Sequence, residues 1–305
     1  MTGLLRSPLC LLTIHAHPDD EASKGSATVA KYANEGVRTV LVSCTGGEAG
    51  DVLNKAMDTP KVRQNLAAVR AAELDASVAA IGYSIVYRLG YHDSGMPNTE
   101  WNSRPDNFHN APLEEAVGRL VKIIRTERPQ VIVTYPDDRP FRGHPDHIRV
   151  LEISGPAFDA AGDPGCYPEA GDSWQALKLY YVIRQSVGRM AALKPFYLAA
   201  GVKDPFKRWH EHRQPGLPEV EEGTVTTRID VGDYLDRRRA ALIAHRSQID
   251  PLQNQGLRLS DEILRQAYPW DEYELARSLI DGTSPGATES DLFTGVRESS
   301  TLNQT

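Results

Sequence analysis

The sequence predicts an α/β protein: a Rossmann-like, mainly parallel sheet with helices on both faces and a smaller C-terminal cap region. Three observations predict it. Short apolar runs of strand length recur at 10–14, 37–44, 84–89 and 131–135, bounded by Gly, Pro and polar residues. Segments with a helical period of apolar residues separate them, and such alternation implies parallel strands joined by crossover helices. Polar loops follow the strands, and the carboxyl edge of an open α/β sheet is where ligands bind.

With 305 residues, 40% hydrophobic and 25% charged, the chain can bury a large core. A net charge of −7 leaves no basic footprint for nucleic acid, and Arg237-Arg238-Arg239 reads as a solvated helix face. Cys10, Cys44 and Cys166 share no metal spacing; the first two sit in strand candidates as small core residues. No stretch approaches the roughly 20 apolar residues of a membrane span. Residues 1–7 carry one Arg before an apolar run too short for a signal peptide. The expectation is a cytoplasmic protein with a small-molecule partner and neither a nucleic-acid nor a membrane partner; a homo-oligomer is compatible with the sequence.

Taken in order, 23–35 reads as a helix whose small residues Ser26, Ala27 and Ala30 allow close approach to the strand ends, with Gly36 placed to end it. After the strand at 37–44, Thr45-Gly46-Gly47-Glu48-Ala49-Gly50-Asp51 lacks the dinucleotide fingerprint and reads as a flexible loop, with Glu48 as an acid near the site. Residues 62–81 carry apolar side chains at a helical period, and Arg70 and Glu73, three apart, read as an ion pair on the other side. The strand at 84–89 delivers Tyr91-His92-Asp93-Ser94-Gly95-Met96-Pro97, and 98–111 is irregular. Residues 113–127 form the clearest helix, with Pro112 at its start, Glu114 and Glu115 at the positive end of the dipole, and Pro129 beyond its end. A helix is expected over 148–161, kinked or interrupted at Pro156. Beyond 160 the pattern loosens. A strand is expected at 178–183, a long ordered loop or cap at 195–222, a strand at 225–231, a helix at 234–249, and helical pieces at 260–267 and 271–279. The expected division is a catalytic domain over 1–185, a cap over 186–282 on the active-site side, and a disordered tail over 283–305.

The chemistry lies in two stretches that resemble one another. His17-Pro18-Asp19-Asp20-Glu21 follows the strand at 10–14, and Gly143-His144-Pro145-Asp146-His147 follows the strand at 131–135. Pro18 prevents the acids from continuing the ladder, while His144 and His147, three apart, share a face if a helix starts there. Two imidazoles and one carboxylate suit a hydrolytic zinc that keeps a position for water. A remaining carboxylate can activate that water, and a remaining imidazole can stabilise or protonate the oxyanion.

These two stretches resemble the metal-dependent deacetylases that act on N-acylglucosamine compounds, the phosphatidylinositol-glycan or LmbE-like family, and within it the mycothiol branch. Thr45-Gly46-Gly47-Glu48, Arg70-Ala71-Ala72-Glu73-Leu74, His92-Asp93-Ser94-Gly95-Met96-Pro97 and Ala244-His245-Arg246-Ser247-Gln248-Ile249-Asp250-Pro251 extend the likeness over nearly the whole chain. The resemblance implies His17, Asp20 and His147 as ligands of one Zn²⁺, with Fe²⁺ as the alternative metal. It implies Asp19 as general base, and His144 as oxyanion stabiliser or acid, oriented by Asp146. Arg70 and Asp93 match positions that grip the sugar. Ser23-Lys24-Gly25 and the segments 249–251 and 271–277 look like the S-conjugate amidases of that branch. One departure stands out: Pro140-Phe141-Arg142 occupies the place of the family's usual Gly-Gly-Tyr. Lys24 and Arg142 are accordingly the candidates for substrate choice, with Glu48, Arg70 and Asp93 completing the substrate-binding set.

The implied function is hydrolysis of the cysteinyl-glucosamine amide of mycothiol S-conjugates, a detoxification. Alternatives are an N-acetylglucosaminyl-inositol deacetylase and an amidase recruited to cleave a mycothiol adduct in antibiotic biosynthesis. From other classes, two His and a carboxylate also describe non-haem iron oxygenases, whose β-barrel the βα alternation disfavours. A catalytically silent sugar-binding protein would not need both Asp19 and His144.

Overall fold

The computed structural model describes residues 8–137, 139, 143–212, 224–280 and 287–297. Among them, β1 (Cys10–His15), β2 (Arg38–Thr45), β3 (Ile85–Tyr91), β4 (Val131–Thr134), β5 (Lys178–Ile183), β6 (Thr227–Asp230) and β7 (Trp270–Ser278) form one sheet in the order β3-β2-β1-β4-β5-β7-β6. The first five strands are parallel; β7 runs antiparallel to β5, and β6 antiparallel to β7. Leu11, Leu12, Ile14, Val40, Val42, Ile132 and Leu179 are buried, as expected of parallel strands covered on both faces. Helices Ser26–Asn34, Leu66–Ile81 and Leu235–Ala244 pack together, as do Leu113–Glu127 and Pro145–Gly162.

The strand order decides where the site lies. β1 stands between β2 and β4, with Leu11 beside Val131 and Thr13 beside Val133. The chain leaves β1 toward β2 on one side, whereas β4 and β5 lie on the other, so the carboxyl ends of β1 and β4 flank the switch point where a crevice opens. The two His-Pro stretches follow these two strands.

Several expectations change. The helix expected over 23–35 is two pieces, Asp20–Ser23 and Ser26–Asn34, separated at Gly25 (φ 82°), where a Cβ would lie 2.7 Å from the Tyr273 hydroxyl. The helix expected over 62–81 is likewise split, into Pro60–Gln64 and Leu66–Ile81. The long loop expected over 195–222 is entered by the end of helix Val187–Ala199 and holds helix Lys207–His212, while 213–223 lie outside the described residues. Leu193, Tyr197 and Phe206 join Leu259 in a small satellite core. Residues 271–278 of the segment expected helical over 271–279 belong to β7. Among the described residues of 186–282, some build this satellite, β6 and β7 extend the main sheet, and helix Leu235–Ala244 packs into the main core.

Of the disordered tail expected over 283–305, residues 283–286 and 298–305 lie outside the described residues, and the expectation is corrected for 287–297, where Leu292, Phe293 and Val296 are buried in the main core. Glu289 clasps that segment to the sheet. Its carboxylate accepts from Lys178 Nζ at 2.6 Å, Tyr180 Oη at 2.5 Å and Thr227 Oγ1 at 3.0 Å. Lys178 is fully buried, and removing one partner of a buried pair typically costs ~3–5 kcal/mol. Glu289→Ala should therefore lower the denaturation midpoint sharply, whereas Lys178→Met with Glu289→Leu should recover much of the loss. Equal midpoints for wild type and Glu289→Ala would contradict the clasp.

Candidate metal centre

β1 ends at His15, and the backbone turns at Pro18 and Asp19 before a short helix begins at Asp20. Asp19 carries φ 114°, a left-handed conformation that costs a non-glycine residue on the order of 1–3 kcal/mol and persists only where surrounding contacts impose it. The Arg70 guanidinium supplies part of that constraint. Its Nη2 donates to Pro18 O at 2.5 Å and to Asp19 Oδ2 at 3.3 Å, and its Nη1 donates to Gly47 O at 2.9 Å. Gly47 (φ 71°) lets the guanidinium approach the loop, because a Cβ there would collide with it. The glycine loop read as flexible is thus a cradle for Arg70. Nor do Arg70 and Glu73 form a surface pair: both are buried, and Glu73 accepts from Ser247 N and Oγ, each at 2.7 Å.

β4 leads into the second stretch, where His144 caps helix Pro145–Gly162 by accepting the Asp146 N–H at Nδ1, 3.2 Å away. His147 follows one turn on. Asp20 Oδ2 lies 3.3 Å from His17 Nδ1 and 3.4 Å from His147 Nε2. These three atoms fall within 4.8 Å of one another. Two ring nitrogens and one carboxylate oxygen form a cluster able to hold a metal ion, and the donor set matches three-ligand hydrolytic centres.

The electrostatics favour a cation here. Burial works to lower the pKa of His17, yet hydrogen bonds to Asp146 and Asp20 and the charge of Asp93 lift it to about 10. Burial works to raise Asp20, but Lys24 and His147 hold it well below the usual carboxylate range.

Asp146 faces both His17 and His144. Its Oδ2 lies 3.3 Å from His17 Nε2 and 3.9 Å from His144 Nδ1, and it accepts from Ser94 N at 3.0 Å and from Ser94 Oγ. The carboxylate therefore orients His17, presenting Nδ1 toward Asp20, as outer carboxylates orient metal-binding imidazoles. What Asp146 gives His144 is its backbone amide. That bond occupies Nδ1, so a neutral His144 ring carries its proton on Nε2, which lies 3.7 Å from Asp93 Oδ1. Burial and the neighbouring His17 lower the His144 pKa to about 3, so the ring is a neutral donor.

Asp93 sits between His17 and His144, 3.7 Å from Nε2 of each; burial raises its carboxyl pKa. Glu48 accepts the Asp93 N–H at 3.1 Å. Lys24 is buried, with its ammonium paired to Asp20 Oδ1 and 5.1 Å from the Tyr135 ring centre. It therefore lies behind Asp20. The Asp19 side chain is the open one, 28% exposed against 6% for Asp20 and 0% for Asp146. Burial raises the Asp19 pKa and Arg70 opposes that rise, leaving it raised overall. Arg142 lies outside the described residues.

Sequence reasoning missed Tyr135, whose hydroxyl accepts the Ala16 N–H at 3.1 Å and meets His15 Nδ1 at 3.1 Å, while its ring packs against His147. Its place at the end of β4, beside the end of β1, was the available signal. Also missed were Ser94, which anchors Asp146, and His245, whose Nε2 lies 2.6 Å from Glu21 Oε1.

Comparison with known proteins agrees with this geometry. Residues 12–158 match the family model described as GlcNAc-PI de-N-acetylase (PIG-L). A mycothiol S-conjugate amidase of Streptomyces coelicolor is 40% identical over 98% of this chain and 99% of its own. A 1D-myo-inositol 2-acetamido-2-deoxy-α-D-glucopyranoside deacetylase of Streptomyces avermitilis is 36% identical over 94% and 97%. Among solved structures, an N,N'-diacetylchitobiose deacetylase from Pyrococcus horikoshii superposes with a TM-score of 0.60 over 90% of this chain and 86% of its own, at 17% identity, a likeness of fold. No helix among the described residues is long and apolar enough to cross a membrane. A near-full-length relative at 40% identity, and two His-Pro stretches meeting at one switch point, lead to one conclusion: the chain belongs to the GlcNAc-PI de-N-acetylase family, in its mycothiol branch.

Proposed function

We propose that this protein is a zinc-dependent amidase that hydrolyses the amide joining an S-substituted cysteine to glucosaminyl-inositol in mycothiol S-conjugates. The observation that carries the substrate class is the relative of that activity, 40% identical along 98% of this chain. The reaction type is supported by the cluster of His17, Asp20 and His147 beside the half-buried acid Asp19. Held by those three residues, zinc would supply Lewis acidity to a bound water and to the scissile carbonyl.

The chain's own residues supply the proton chemistry. Asp19 is open to the crevice, and its raised pKa suits a group that takes a proton from the attacking water and returns it to the departing amine nitrogen. As the water oxygen bonds to the carbonyl carbon and the C–N bond breaks, that proton leaves with glucosaminyl-inositol. His144, neutral with its proton on Nε2, is placed to donate to the developing oxyanion. Asp93 and Glu48, joined by the Asp93 N–H bond to the Glu48 carboxylate, are assigned to the sugar hydroxyls, from which carboxylates can accept. Arg70 serves through the Pro18–Asp19 backbone and the Asp19 carboxylate. Lys24 acts from behind Asp20.

A second reading, deacetylation of an N-acetylglucosaminyl-inositol, is favoured by the 36% identical deacetylase. Mass spectrometry of products from a fluorescent S-conjugate of mycothiol and from N-acetylglucosaminyl-inositol separates the two. The expected result is rapid release of glucosaminyl-inositol from the conjugate and slow release from the acetylated sugar. The reverse ranking would establish the deacetylase reading, and no release from either would remove both.

A further inference from the structure

Glu21 completes the first His-Pro stretch, yet it is no ligand in the metal cluster, and at 1% exposure it is closed to substrate. A buried carboxylate is costly unless its lone pairs are satisfied, and the partners of this one are specific. Oε2 accepts the Asp19 N–H at 2.9 Å. Oε1 accepts from Ser77 Oγ at 2.5 Å and lies 2.6 Å from His245 Nε2. Ser77 and His245 are themselves fully buried. Ser77 belongs to helix Leu66–Ile81, and His245 is the C-cap of helix Leu235–Ala244.

The peptide joining Pro18 to Asp19 is consequently gripped at both ends. Arg70 Nη2 holds its carbonyl and Glu21 holds its N–H. This is the peptide preceding the φ 114° residue, so the two grips together impose the strained turn. At an ordinary helix start the Asp side chain would cap the helix. Asp19 sits at the N-cap of Asp20–Ser23 and makes no side-chain cap bond, which leaves its carboxylate to Arg70 and the crevice.

We propose that Glu21, anchored by His245, is a positioning residue that fixes the backbone of the Asp19 base, and so couples the C-terminal helix Leu235–Ala244 to catalysis. This inference rests on the reading of Asp19 as base. It goes further in making His245, 224 residues from Glu21 along the chain, part of the machinery.

The test uses full-length, metal-loaded Glu21→Gln, His245→Ala and His245→Gln, assayed on a fluorescent S-conjugate of mycothiol with metal content and melting temperature measured in parallel. Because small misplacement of a reacting group can cost ~10²-fold, Glu21→Gln and His245→Ala are expected to lower kcat by about 10- to 100-fold. KM should change less than about twofold, with one metal per chain retained, since ground-state binding is untouched. His245→Gln, whose amide can donate from nearly the same place, should recover most of the kcat. Combined with Asp19→Asn, Glu21→Gln should add no further loss, because groups acting as one unit are non-additive. Unchanged kcat in Glu21→Gln and His245→Ala beside an impaired Asp19→Asn would overturn the inference alone. A multiplicative loss in the double variant would do the same. Full activity in Asp19→Asn by itself would overturn the base assignment, and this inference with it. Should Glu21→Gln fail to fold, the pair of His245 variants still decides the matter.

Discussion

His147→Ala should leave the protein nearly metal-free after dialysis against a chelator, and without measurable amidase activity. Asp20 Oδ2 lies 3.3 Å from His17 Nδ1 and 3.4 Å from His147 Nε2, so removing either ring or the carboxylate leaves two donors where a hydrolytic centre needs three. His17→Ala and Asp20→Ala should behave alike. Asp146→Asn makes an informative contrast. Its Oδ2 orients His17 through Nε2, and loss of such an outer partner typically costs ~10- to 100-fold in metal affinity or activity. It should therefore bind metal weakly where the ligand variants scarcely bind it. Full metal occupancy in His147→Ala, measured by elemental analysis, would refute the ligand assignment.

Asp19→Asn should keep its metal and lose activity by about 10²-fold or more, the loss expected when a general base is removed. The substitution preserves size and the contact with Arg70 while removing the basic oxygen. The Asp19 side chain is 28% exposed and is absent from the His17, Asp20 and His147 cluster, which is why metal content and activity should separate. His144→Ala should lose about 10²–10³-fold with metal retained, if its Nε2–H stabilises the oxyanion. Metal loss in Asp19→Asn would make that residue a ligand instead. Activity within about threefold of wild type, well short of what a base contributes, would remove it from the chemistry.

Much of this was legible from the chain alone, for identifiable reasons. β1 to β5 are apolar runs of strand length, and Leu113–Glu127 announces itself by its stripe, its acidic first turn and the proline beyond it, all local signals. The two His-Pro stretches carry their donor types in plain order. Other expectations failed where local and long-range preferences conflict. Trp270–Ser278 contains Glu, Leu, Ala and Arg, good helix formers, yet it fills the gap between β5 and β6 and bonds to both. Pairing with a strand on each side overrides propensity there. The segment around Phe293 is polar on average and reads as tail, but three apolar residues and Glu289 find a place in the core.

What the sequence by itself determined is the strand–helix alternation, the kinds of donor available, and that they sit just beyond strand ends. These follow from side-chain chemistry and from periodicities spanning only a few residues. Only the tertiary structure decided which donors meet. Arg70 turned to the Pro18 carbonyl and away from Glu73, Asp146 to His17, and His245 to Glu21. Each choice depends on the strand order that sets β1 beside β4, and on helices brought together from distant parts of the chain. Contacts across 50 to more than 200 residues leave no mark on local periodicity, because the distance a folded chain closes is set by packing and not by sequence separation.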